Sequence, residues 1–317
     1  MTLSANTLHR MGYALANRAA ADEVNQLLGF VAGTTYYVDS TNSVASDTAA
    51  RAGTSRDEPF ATLDYAIGRT SASNGDTIVL LPGHAETTTA IAADVAGIRI
   101  IGIGQGRNRP ALTATTAATD LLNVTAANVY IENVRFVGAA SGVTALLDIA
   151  GADFTGYNLV FEHGAAPVSA VTVPGAHARG RLIDCSWRGT AAGPDYGIYF
   201  ENGATTGAIL DWQIIRARAQ YAASSGLDLA FIRADRKITG LLVDDVTVIS
   251  FDTLAIDINS SSAAVGDGVV RNGTFIATAA LTSIEDAFDV GGMMFDRCFV
   301  GDVVTGRPGP VPLTTVS

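Results

Sequence analysis

One column of residues constrains this chain more than any other feature. Starting at Asn133, an Asn or Asp recurs at Asn158, Asp184, Asp211, Asp245, Asn272 and Asp296, with gaps of 25, 26, 27, 34, 27 and 24 residues. Asn and Asp are the non-glycine residues that best accept positive φ, so a fixed one bends the backbone sharply at each recurrence. Three places further on stand Phe136, Phe161, Trp187, Ile214, Val248, Phe275 and Phe299, all large and apolar. Two places before it stand Ile131, Gly156, Leu182, Ile209, Val243, Val270 and Met294. The same local shape is rebuilt each time, which is the signature of a solenoid.

The segments beside this column alternate with a period of two. Val134 and Phe136, like Leu159 and Phe161, place apolar residues first and third after the turn, as a strand with one buried face requires. A second strand precedes each turn by about ten residues: Leu122-Asn123-Val124, Leu147-Asp148-Ile149, Val171-Thr172-Val173, Ile198-Tyr199-Phe200, Ile256-Asp257-Ile258 and Phe288-Asp289-Val290. Each flanks one outward polar residue with two apolar ones. A repeat of about 25 residues is too short for a βαβ unit and has no helical period, so it predicts a coil of parallel strands.

On these residues, roughly 76 to 302, the chain resembles the right-handed parallel β-helices of the pectate-lyase-like class. The resemblance implies an all-β, right-handed parallel β-helix with three faces, parallel strand register and stacked Asn side chains at one turn. It does not by itself specify chemistry.

Around that body the sequence predicts four regions. Residues 1–30 read as a helical docking arm, with Leu8, Met11 and Leu15 at helical spacing, Asn17 as an N-cap, and a second short helix closed by Gly29. Residues 31–97 read as an entrance region in which a short helix carrying Phe60, Leu63 and Ile67 on one face covers the first open coil, as an exposed strand edge needs. The body is 98–302, with Gly102 at an early turn place. Residues 303–317, with Arg307-Pro308-Gly309-Pro310-Val311-Pro312, cannot continue a ladder because proline lacks the donor. The long Asp211 to Asp245 step is absorbed by a loop at Tyr221 to Gly226, and Leu229 to Arg233 does not fit the second-strand column cleanly.

Composition narrows function. A net charge of -11 with only 20 Lys plus Arg leaves no basic stripe for nucleic acid, and no apolar run spans a membrane. Anionic polysaccharide is disfavoured less, because a few local arginines suffice for it. The start Met1-Thr2-Leu3-Ser4 lacks a signal peptide's basic and apolar parts, so the expectation is synthesis in a host cytoplasm. Cys185 is expected inward and Cys298 outward, four coils apart, and at about 4.8 Å per coil their separation of roughly 19 Å excludes a disulfide.

No catalytic, cofactor-binding or metal-ligating set emerges. The best carboxylate candidates are Asp257 and Asp289, which on neighbouring coils would stand near the ~5 Å spacing of a retaining glycosidase pair. Leu159-Val160-Phe161-Glu162-His163 lacks what a lyase motif needs, His84, His163 and His177 have no metal-ligand spacing, and Gly102 to Gly106 reads as turn geometry. Two places after each turn lie Arg135, Val160, Ser186, Gln213, Thr247, Thr274 and Cys298, a weakly charged strip suited to a subunit interface. The N-terminal stretch resembles the attachment segments of tailed-phage virion proteins. Together these lead to the expectation of a virion structural protein, foremost a trimeric capsid decoration protein bound to the major capsid protein or another virion component. The alternatives are a tailspike that binds or cleaves host surface glycan, and a non-catalytic adhesin.

Overall fold

The computed structural model describes residues 33–163, 167–174, 178–189, 194–201, 208–221, 230–251, 254–258, 267–278, 288–289, 292–302 and 309–310. The described regular structure is almost all strand, arranged as a parallel β-solenoid with three sheets of 11, 10 and 8 strands among the described residues. Sheet I runs from Thr35–Val38 to Met293–Asp296, sheet II from Ala85–Thr88 to Phe299–Asp302, and sheet III from Ile91–Ala93 to Phe288–Asp289. A coil visits them in that order, as in Tyr130–Glu132, Arg135–Gly138 and Ala145–Ile149, and each strand pairs in parallel with its counterpart one coil on. The one antiparallel pairing among described strands is Gly309–Pro310 on the last strand of sheet II.

The turn between sheets I and II is the ladder. Asn133, Asn158, Asp184, Asp245 and Asn272 all take φ between 51° and 58°. Their N–H groups donate to the carbonyls of Tyr157, Ile183, Ile215, Arg271 and Asp296 one coil up. The amides also stack: Asn133 Nδ2 donates to Gly102 O at 2.7 Å, and Asn158 Nδ2 to Asn133 Oδ1 at 3.0 Å.

Two rungs differ from the sequence expectation. The turn in the long repeat is at Arg216 (φ 53°), not Asp211, and the last is at Arg297 (φ 53°), not Asp296. Asp211 does have positive φ, but it belongs to a second left-handed column at the entry to sheet I, with Asn128, Asp153, Arg179, Gly240 and Gly292, each five residues before a ladder turn. Two such columns in one repeat let an Asp from one stand in for a missing Asn or Asp in the other.

The slips have consequences. Ile214 lies in sheet I opposite Leu182, and the place after the turn is taken by Ala219. Phe299 faces solvent at 50% exposure and Val300 faces inward, while Cys298, expected outward, is buried. Met294, on the outer face, is 58% exposed. The outward strip contains Arg218 and Phe299 where Gln213 and Cys298 were expected, so it is less neutral than the sequence suggested. Both cysteines are free.

The second-strand column keeps its register throughout. Asn123, Asp148, Thr172, Tyr199, Arg233, Asp257 and Asp289 pair in succession, and Ile232-Arg233-Ala234 supplies the rung that the sequence left unplaced. Inward residues of all three sheets form a single apolar cluster. Within it Phe136, Phe161 and Trp187 stack at 5.3 and 5.1 Å, after which Ala219 and Val248 interrupt the aromatics before Phe275.

A five-residue helix, Leu63–Ile67, lies against the first strands of sheets I and III and buries Leu63, Ala66 and Ile67. Thr62 caps it, and Phe60, expected on its face, precedes it and bridges to Val38. Residues 1–30, His177, residues 222–226, Leu229 and most of the 303–317 tail lie outside the described residues.

Candidate functional site

The outer face of sheet II carries two outward columns, two residues apart. Because the coil pitch stacks these columns, side chains on successive coils meet. Arg135, on Arg135–Gly138, reaches up to Glu162, on Val160–His163, with Nη1 at 3.2 Å from Oε2. Arg188, on Ser186–Gly189, reaches down to the same carboxylate, with Nη2 at 2.8 Å from Oε1. Arg188 is the direct register neighbour of Glu162, whereas Arg135, in register with Val160, reaches Glu162 diagonally. Arg188 remains 58% exposed at its side chain.

A third arginine arrives from below. The loop after the strand Arg99–Gly102 turns through Gly106–Asn108 and delivers Arg109 against the ladder, where its Nη2 donates to Asn158 Oδ1 at 3.2 Å. Burial lowers the Arg109 pKa first, and repulsion from Arg188 and Arg135 lowers it further, against a raising effect of Glu162. Arginine nevertheless keeps its proton in proteins. Three guanidinium groups thus gather around one carboxylate, a local excess of positive charge on a chain whose net charge is -11.

Beside Arg109 opens a cleft of about 680 Å³, walled by Gly104, Gln105, Glu132, Asn133 and Asn158. Its floor is rich in backbone and amide groups. On sheet I nearby, Tyr130 donates to Glu132 at 2.8 Å and lies under the Arg99 guanidinium, 4.9 Å from the ring centre. Burial, followed by the Glu132 hydrogen bond, pushes the Tyr130 hydroxyl up to about 12.

Other sequence candidates are placed elsewhere. Asp257 and Asp289 are direct neighbours in sheet III, the placement on which their pairing from sequence was conditional, but the Asp257 carboxylate is held by the Arg233 guanidinium, which also forks to Asp235. A cation is thus a bonded partner of Asp257. His84 is buried under the entrance region, where Nδ1 accepts from Ser40 N at 3.0 Å. His163 points inward, and burial lowers its pKa to about 3. Gly102 and Gly104 line the cleft, with Gly102 so close to Asn133 that a Cβ would sit 2.3 Å from its carbonyl oxygen. No three His, Cys, Asp or Glu side chains converge on a metal-sized point among the described residues.

The sequence reading passed over this cluster. In the sequence Glu162 stands only in a motif it does not complete and Arg135 only as the lone charge of the strip two places after each turn, and no linear pattern marks Arg109 or Arg188. The signal lay in the second outward column, four places after each turn, where Glu162 and Arg188 follow one another.

No protein-family model and no curated protein matches the chain. Among solved structures, one described as a rhamnogalacturonan lyase is similar, with a TM-score of 0.54 and 15% sequence identity over 84% of this chain and 73% of that one. At that identity the likeness establishes the shared fold and leaves the chemistry to the residues.

Proposed function

We propose that this protein is a polysaccharide-binding β-solenoid that holds an acidic glycan along the outer face of sheet II. The observation that carries this reading is the pairing of Arg135 and Arg188 with Glu162 on three neighbouring strands of sheet II, with Arg109 beside them from the loop of the preceding coil. Guanidinium groups recognise carboxylates in a fork, and a row of them at coil spacing suits a repeating anionic chain. The overall acidity of the protein does not preclude this, since surface charges beyond about 8 Å are screened at physiological salt. The fold neighbour acts on rhamnogalacturonan by its name, which makes that polymer the first probe.

Binding without cleavage fits the cluster best. An arginine base would have to surrender a proton it keeps, and Arg135 and Arg188 each share the Glu162 carboxylate as charged guanidinium groups, which leaves a net positive charge. Of the particle roles expected from sequence, this favours a virion component that contacts host glycan, as a spike or adhesin, over capsid decoration. Its oligomeric state, including the expected trimer, belongs to the same proposal.

The test is isothermal titration with rhamnogalacturonan, polygalacturonate and neutral dextran. Wild-type protein should bind an acidic polymer and not dextran, and the Arg135→Ala/Arg188→Ala double variant should lose about tenfold or more in affinity, on the scale of one to two charge-assisted contacts. Equal binding by the double variant, or a preference for dextran, defeats the reading.

A further inference from the structure

Sheet I has a cleft of its own, of about 320 Å³, where its middle strands begin. Asp153, Arg179, Asp211 and Gly240 form one wall, standing on successive coils of the second left-handed column. Two places further on, Arg181 and Gln213 form the other, in direct register with one another. The four charged side chains are two acids and two arginines, and they are not paired alike. Arg179 forks Asp153. The Arg181 guanidinium and the Asp211 carboxylate, both exposed, make no hydrogen bond or ion pair among the described residues.

Both lie close enough to the forked pair to be felt by it. Asp153 is held below the usual carboxylate range by the Arg179 fork first, with Arg181 a smaller cause, and Arg179 is raised by Asp153 first, with Asp211 adding to it. Register explains why Arg181 and Asp211 do not pair with each other. Asp211 stands two residues before Gln213, the direct neighbour of Arg181, which at about 4.8 Å between strands and about 3.3 Å per residue puts the two backbones roughly 8 Å apart. On the far side of Asp211 is Gly240, φ 74°, where a Cβ would stand 2.6 Å from Asp211 Oδ1, so the carboxylate rests over a bare Cα. The Gly240 N–H, which could have satisfied it, donates to Asp267 instead.

The unpaired charges decide what fits. A simple anion would meet Arg181 but also face Asp211, with Asp267 behind it. A simple cation would meet Asp211 but also face Arg181 and the 64% exposed Arg179 side chain. A molecule that carries an ammonium and a carboxylate side by side satisfies both free groups, with the carboxylate in the guanidinium fork and the ammonium on the acid. The Gln213 amide, on the same wall, can donate to or accept from a polar side chain of that molecule. The volume stands at the small end of the roughly 300–1,000 Å³ common for ligand sites.

We propose that this cleft on sheet I binds a free α-amino acid, with its carboxylate on Arg181, its ammonium on Asp211 and its side chain beside Gln213. The site shares no residue with the arginine cluster of sheet II, and stands whether or not that cluster holds a glycan.

Saturation-transfer NMR of the full chain at low salt tests this, with L-serine and L-asparagine as the zwitterions and propionate and propylamine as probes of one charge each. At least one of the two amino acids should receive transfer, and each single-charge probe should bind about tenfold more weakly, the scale of one charge-assisted hydrogen bond. Arg181→Gln and Asp211→Asn should each weaken amino-acid binding about tenfold as well. Both changes are at exposed side chains, and Asn accepts the positive φ of position 211, so both variants should melt with wild type; should one depart, the other variant and the single-charge probes still decide. Transfer to neither amino acid, equal transfer to propionate or to propylamine, or a signal undiminished in a variant that melts with wild type overturns the assignment.

Discussion

Arg179 and Arg216 sit in left-handed backbone, which costs an ordinary L residue roughly 1–2 kcal/mol. What offsets it is visible one coil below. The Arg216 guanidinium forks the Asp184 carboxylate at 2.6 and 2.8 Å, and Arg179 forks Asp153 at 2.5 and 3.0 Å. These forks hold Asp153 and Asp184 below the usual carboxylate range, so their contribution is present near neutrality and lost as pH falls through the folded-state values. Asn and Asp therefore mark five of seven turns, and the nearest acid stands in at the other two, where the bend is at an arginine paired with Asp184 one coil below or with the adjacent Asp296. His163 reports on the interior in a second pH window. Buried neutral, with both ring nitrogens unpartnered and its ring stacked 6.0 Å from Tyr221, it titrates at about 3 folded and near 6.5 unfolded. Because the unfolded chain takes up that proton first, stability falls as pH drops from about 6.5 toward 3. His163→Phe should raise stability at pH 5 by about 1–3 kcal/mol in urea denaturation, by removing the unpaired nitrogens and that protonation penalty. A variant no more stable than wild type at pH 5 would contradict this.

At the scale of elements, the strands of sheet III were readable almost whole, because an apolar-polar-apolar triplet needs no rare backbone conformation to mark it. The exception, Ile232-Arg233-Ala234, carries a small inward residue and follows residues whose length breaks the period. Core aromatics were read less well, since one misplaced turn shifts every later residue on its strand to another face. Ala219 at the rung above Trp187 shows the result: the stack ends there, and Trp187 turns its edge to Phe231 at 5.2 Å while its Nε1 donates to Gly197 O at 3.2 Å. Trp187→Ala should cost about 3–5 kcal/mol by equilibrium denaturation, the scale of a large buried aromatic plus an orphaned carbonyl. A cost below about 1 kcal/mol would mean that this level of the core is not packed as described. The arginine cluster escaped the sequence reading for a related reason. Its members come from strands on three coils and a loop before the ladder, so nothing in linear spacing joins Arg109 to Arg188.

For the whole molecule, a solenoid whose coils need only their neighbours can present different chemistry on each face, and here the positive cluster of sheet II and the column Asp148, Thr172 and Tyr199 of sheet III occupy the same middle coils. Attachment to a particle belongs to the proposed virion role and is tested apart from glycan binding. Deleting residues 1–29 should leave glycan binding intact and abolish incorporation into the particle, read by immunoblotting of purified virions; undiminished incorporation would remove the docking role of that segment. The account's central claim is tested most directly by amide hydrogen exchange with and without rhamnogalacturonan or polygalacturonate. Bound acidic glycan should slow exchange in Arg135–Gly138, Val160–His163 and Ser186–Gly189 and in the loop that carries Arg109, and the Arg135→Ala/Arg188→Ala variant should show no such slowing. Protection confined to another sheet, or none with either polymer, would contradict it.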